Sequence, residues 1–102
     1  MRRLYHPEKE QIALTLVLQA LADLHRLAIV KILAEGGESN CSLMRLDIAK
    51  STISHHFKVL RESGVTKTRT QGTHKLVSLR RDDLEERFPG LLKVILEATE
   101  PL

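Results

Sequence analysis

The chain has 102 residues, 28% of them charged, with a net charge of +3 and an isoelectric point near 9.3. That length predicts one domain, and an aromatic content of 3%, from Tyr5, Phe57 and Phe88 alone, predicts a small Leu/Ile/Val/Ala core that gains from dimerisation. A single cysteine, Cys41, excludes an intramolecular disulfide and fits a cytoplasmic protein. Glu8 and Glu10 spoil a signal-peptide reading of Met-Arg-Arg and Ile12–Leu18, and no apolar run is long enough to span a membrane.

Residues 1–6 read as loose chain. Pro7 in a first turn, with Glu8 and Glu10 set against the helix dipole, predicts a helix over about 7–22. Leu14, Val17, Leu18 and Leu21 form one apolar stripe of it; Ile12, Ala13, Leu16 and Ala20 form another. A helix apolar on two sides must be covered twice, here by its own domain and by a second subunit. Asp23 is set to cap a second helix, running to about Glu35 with Ala28, Ile29, Ile32 and Leu33 inward and Gly36-Gly37 ending it. Glu38 to Asp47 predicts a short third helix, the first half of a helix-turn-helix, with Asp47 in the turn.

The stretch Lys50–Gly64 has both helix ends marked, Ser51 as N-cap and Gly64 just past the C-terminus, so a helix is expected over about 51–63. Ile53, Phe57 and Leu60 recur at i, i+4, i+7 and need a core. The opposite face carries Thr52, Ser54, His55, Lys58 and Arg61. Val65–Leu79 alternates on either side of Gln71-Gly72 and predicts a β-hairpin over about 65–79 bearing Lys67, Arg69 and Lys75. From Lys50 to Arg81 eight cations stand against Glu62 alone, a net +7, which leaves −4 for the rest of the chain. Such a partition calls for a polyanionic partner, and no basic helix has a spare apolar face for lipid.

Beyond the hairpin, Asp82 with Glu85 reads as a capping box, Pro89-Gly90 as a break, and 91–98 as a last helix. Leu91, Val94, Ile95 and Ala98 lie on one of its stripes, Leu92 and Leu96 on another, again more apolar surface than one domain requires.

Two motifs carry a family resemblance: Ala20-Leu21-Ala22-Asp23-Leu24-His25-Arg26-Leu27-Ala28-Ile29, and Ser51-Thr52-Ile53-Ser54-His55-His56-Phe57-Lys58-Val59-Leu60-Arg61-Glu62-Ser63-Gly64-Val65. Over about 19–79 the chain resembles the ArsR/SmtB family of bacterial winged-helix repressors. The resemblance implies a mainly α winged helix-turn-helix with a β-hairpin wing, dimerising through its first and last helices. It also implies base contacts at Lys50, Ser51, Ser54 and His55. Helix-turn-helix docking points the same N-terminal end, including Thr52, into the major groove. Lys58 and Arg61, with Arg69 and Lys75 of the wing, are expected beside phosphates.

The expected partner is a pseudo-palindromic duplex operator read by a homodimer, and the expected function is repression relieved by an unidentified inducer. A winged-helix module that docks a protein instead is the alternative. The paired-cysteine box and the last-helix ligands through which many relatives sense metals are absent, so no metal or other cofactor is expected. His55 and His56 point about 100° apart on a helix and cannot chelate one ion. Cys41 is either a small residue at a helix start or an effector-responsive thiol. No phosphate-cradling glycine loop, nucleophile elbow or His–Glu metal pair supports an enzyme.

Overall fold

In the computed structural model, which describes residues 4–40 and 48–99, five helices surround a three-stranded antiparallel sheet. In chain order these are a 3-10 turn Lys9–Gln11, α1 Leu14–Leu21, α2 Leu24–Gly36, β1 Ser39–Asn40, α3 Lys50–Glu62, β2 Thr66–Gln71, β3 His74–Leu79, α4 Arg81–Arg87 and α5 Leu91–Glu97. The expected third helix lies mostly outside the described residues, as do Cys41 and Asp47. Its first residues are instead strand: Ser39 pairs with Val77 and Asn40 with Leu76, giving the strand order β1-β3-β2.

The first expected helix is broken. Gln11 closes a 3-10 turn by accepting from Glu8 N–H at 3.0 Å, and Ile12 and Ala13 are then extended before α1 begins. The break drops Ile12 fully into the core, against Gly64, and Arg87 donates to the freed Ile12 carbonyl at 2.7 Å. A continuous helix over 7–22 would hold Ile12 on its own cylinder and leave that gap empty. Val17, Ala20 and Leu21 of α1 are buried, whereas Leu14, Leu16 and Leu18 stay exposed, which recuts both apolar stripes.

Asp23 caps α2 by accepting from the His25 and Arg26 backbone N–H groups at 2.9 and 3.1 Å. The buried face of α2 is Ile29, Val30 and Leu33, turned toward Val30 from the expected one, so that Ile32, expected inside, is exposed and Ala28 is half-buried. Gly37, at φ +75°, ends the helix.

Helix α3 starts at Lys50 with Ala49 as its N-cap, not Ser51. Ser51 thus stands inside the first turn and is exposed. At the other end Val65 N–H reaches the Leu60 carbonyl and Gly64 N–H the Arg61 carbonyl, at 3.0 and 3.1 Å, with Gly64 at φ +90°. This Schellman closure turns the chain straight from α3 into the hairpin. Gln71 faces His74 across a two-residue loop in which Gly72 takes φ +62°.

The capping box of α4 does not form. The helix opens two residues earlier than that box needs, with Arg80 as its N-cap; Arg80 Nε donates to Asp83, and the Glu85 carboxylate accepts from Gly90 N–H beyond the helix end. Gly90 at φ +82° starts α5. One core joins the five helices and β3: Ile12, Val17, Ile29, Val30, Leu33, Leu60, Val65 and Val77 are almost wholly enclosed, and Leu84 and Leu92 close it from α4 and α5.

Candidate nucleic-acid interface

Helical spacing divides α3 into two faces. His56, Phe57 and Leu60 are buried and Ile53 is half-buried, while Lys50, Ser51, Thr52, Ser54, His55 and Lys58 are exposed. Among the described residues no side chain caps the first turn, whose backbone N–H groups and positive dipole end stand beside Lys50 and Ser51. Donors of this kind suit an anion.

The other expected cations divide less simply. Lys67 and Lys75 are exposed on the hairpin. Arg69 is held by Glu38, its Nη2 and Nε donating to the two carboxylate oxygens at 2.7 and 2.8 Å. That bidentate pair draws the Glu38 carboxyl below its ordinary range and raises the Arg69 guanidinium. Arg61 is half-buried, and its Nε donates to the Tyr5 carbonyl at 3.2 Å. Lys50, Ser51, Thr52, Ser54, His55, Lys58 and Lys75 are therefore exposed as expected, whereas Arg61 and Arg69 are already engaged by the protein.

Behind the exposed face lies a polar joint that sequence reasoning touched without assembling. Arg26 Nε donates to the Ala20 carbonyl at 2.6 Å, and Arg26 Nη1 lies 3.1 Å from His56 Nδ1. One guanidinium thus ties the end of α1, the start of α2 and the inner face of α3. Burial lowers the His56 pKa; Asp23, 4.0 Å from Nε2, opposes that shift, and Arg26, His25 and His55 reinforce it. Burial raises Asp23, but the Arg26 and His25 N–H hydrogen bonds and the neighbouring positive charges bring it below its ordinary value. The signal lay in the two motifs, one holding Arg26 and the other His56, and only packing brings them together.

Asp23, His25 and His56 also place one ligand atom each within 4.8 Å of one another. Their chemistry does not suit a metal ion. Arg26 can only donate, so His56 Nδ1 accepts and the ring proton sits on Nε2, the nitrogen facing Asp23. A ligating imidazole needs the reverse, with its outer N–H given to an acceptor, and the guanidinium adds a like charge.

Among the described residues no helix is long and apolar enough to cross a membrane. Residues 23–67, from the cap of α2 through α3 into β2, match the family described as bacterial regulatory protein, arsR family. The chain is 42% identical over 82 residues to YceK, an uncharacterised HTH-type transcriptional regulator of Bacillus subtilis (strain 168), covering 78% of this chain and 82% of the relative. It is 37% identical over 84 residues to an uncharacterised HTH-type transcriptional regulator of Methanocaldococcus jannaschii, covering 79% of this chain and 89% of that one. A crystal structure of an ArsR family transcriptional regulator shares the fold, with a TM-score of 0.65 at 24% identity over 92% of this chain and 98% of that chain. With the capped α2, the amphipathic α3 and the hairpin in place, the chain belongs to the ArsR family of winged helix-turn-helix, DNA-binding transcriptional regulators and is not an enzyme.

Proposed function

We propose that this regulator is a cytoplasmic homodimeric repressor that reads a two-fold symmetric operator in successive major grooves, roughly 34 Å apart. The observation that carries the reading is the bare polar face of α3, six exposed side chains with hydroxyls, an imidazole and two ammonium groups, backed by a buried apolar face. Lys50, Ser51, Thr52, Ser54 and His55 meet base edges and nearby phosphates; Lys58 and Lys75 meet phosphates to either side. Arg61 and Arg69 act on DNA only by exchanging a protein acceptor for a phosphate.

Dimerisation through α1 and α5 is supported by the apolar surface those helices leave uncovered. Leu14, Leu16 and Leu18 are 44–49% exposed, Val94 is 62% exposed, and Leu18, Leu21, Leu27 and Ile95 line a shallow apolar cleft between the two helices. An inducer binds the free dimer in preference to its DNA complex and thereby shifts the population off the operator.

Fluorescence anisotropy on DNA from upstream of the gene, with an equal-length random duplex as competitor, tests the proposal. Strong preference for the upstream duplex is expected. Equal binding to both, erased by salt, would leave only attraction to a basic surface and favour a protein-docking module.

A further inference from the structure

We infer that His6 is a positioning residue for DNA binding: its neutral ring clasps the N-terminal arm to the free edge of the wing, and protonation of that ring releases the arm. The arm was expected to be loose, yet residues 4–7 are tied to the rest of the domain by three hydrogen bonds and carry a fourth within themselves. His6 Nδ1 lies 3.1 Å from the Leu4 carbonyl, and His6 Nε2 accepts from Thr68 N–H at 3.0 Å. Arg61 donates to the Tyr5 carbonyl, and Arg80 Nη1 donates to the Pro7 carbonyl at 2.7 Å. The arm thereby links α3, through Arg61, to the wing, through Thr68, and both to the entry of α4.

Strand β2 is an edge of the sheet, so an outward backbone N–H on it has no neighbouring strand to receive it. His6 supplies the acceptor. Because Thr68 N–H can only donate, Nε2 must be unprotonated; the ring proton is then on Nδ1, where the Leu4 carbonyl accepts it. Both ring nitrogens are satisfied in one neutral tautomer. A second proton on Nε2 would set N–H against N–H and break the clasp.

The surroundings favour that neutral form. Burial lowers the His6 pKa below the ordinary 6.5; its hydrogen bond to the Leu4 carbonyl opposes this, and Arg61 and Arg80 reinforce it. The cleft around the ring also holds Lys67 and Arg69 of β2, Glu8 of the arm, Glu38 before β1 and Asp83 of α4. Those three carboxylates temper the cations without removing the donor–donor conflict. A histidine whose folded pKa is depressed contributes fully above its unfolded pKa and loses that contribution as the pH falls through the folded one. Arm docking is thus complete above the ordinary histidine pKa of 6.5 and is lost as the pH falls through the lower pKa of the docked ring.

The test compares the wild-type chain with His6→Gln, whose amide oxygen still accepts from Thr68 N–H but does not titrate, and with His6→Ala. In the free protein, Thr68 amide hydrogen exchange is expected to be slow in wild type and in His6→Gln at about pH 7.5 and fast in His6→Ala. As the pH is lowered through the His6 titration, the Thr68 protection factor, which allows for the slower intrinsic exchange at lower pH, is expected to fall to the His6→Ala value in wild type and to hold in His6→Gln. On DNA from upstream of the gene, wild type is expected to lose about fivefold more affinity than His6→Gln over that pH interval, the equivalent of one hydrogen bond. His25, His55, His56 and His74 are common to both proteins and cancel in the comparison. Thr68 exchange equal in wild type and His6→Ala, or identical pH profiles for wild type and His6→Gln, would overturn the clasp. A random duplex run in parallel separates this from the operator reading: equal affinity for both duplexes with the pH difference retained keeps the clasp and removes the operator.

Discussion

Helix α3 and the hairpin that follows it are both rich in cations, yet they hold their charge differently. Along the exposed face of α3, among the described residues, Lys50 and Lys58 form no ion pair and no side chain caps the backbone donors of the first turn. On the hairpin, Arg69 is already paired with Glu38 in a bidentate bridge, and at the end of α3 Arg61 is bound to the arm. A cation count therefore overstates the charge offered to a polyanion. What matters is which cations have no competing acceptor inside the protein. The helix presents such groups; the hairpin spends part of its charge on holding its own position.

The joint between the two regions is the most sensitive place to break that contrast. Gly64 sits at φ +90°, and a Cβ there would lie 2.7 Å from Ile12 Cγ1 and within 3.2 Å of two more Ile12 carbons. Because Ile12 is enclosed, Gly64→Ala combines backbone strain with overpacking and is expected to cost about 3 kcal/mol of stability in urea unfolding. A loss below about 1 kcal/mol would show that the turn between helix and hairpin is not held as described.

Next in size are changes to the open face itself. Ser54→Ala and His55→Ala are each expected to reduce the ratio of specific to random DNA binding by about 1–3 kcal/mol, with unchanged thermal stability because both side chains are exposed. A full ratio in both variants would move the reading surface elsewhere.

Thr66→Val acts at the root of the hairpin. The Thr66 hydroxyl is buried with no partner among the described residues, so replacing it by a methyl should stabilise the fold by about 1 kcal/mol, seen as a raised midpoint of thermal unfolding. A lowered midpoint would mean that the hydroxyl has an acceptor.

The finest test separates the two kinds of cation. Lys75→Ala should weaken DNA binding uniformly across sequences and reduce the salt slope by about one ion, whereas Arg69→Ala should change the slope less, because Glu38 already neutralises that guanidinium. Glu38→Gln should then raise affinity at low salt. Equal slopes for the two alanine variants would mean that Arg69 leaves Glu38 for phosphate when DNA arrives.

Much of this was readable along the chain because it rests on local rules. Period and end signals located α2, α3, the hairpin and α5 to within a residue or two, since Asp23, Gly64, Gly72 and Gly90 act on backbone groups a few positions away. The exposed and buried faces of α3 followed from spacing alone. The misreadings share a different cause. Pro7 with two glutamates is a sound helix start, yet the helix is interrupted so that Ile12 can fill the space above Gly64. Ser51 and Asp82 are good caps, but the helices already begin at Lys50 and Arg81, with Ala49 and Arg80 in the cap positions. Ser39 and Asn40 became strand because β3 had an open edge beside them.

Sequence alone determined the fold class, the amphipathic α3 and the concentration of charge between Lys50 and Arg81, because periodicity, turn chemistry and composition are properties of neighbours in the chain. Tertiary structure alone decided which of those charges remain available. Glu38 meets Arg69 across 31 positions, Arg26 meets His56 across 30, and His6 meets Thr68 across 62, and no local rule joins residues so far apart. Such pairings depend on which surfaces the buried apolar core brings into contact, and that is settled only when the whole chain has packed.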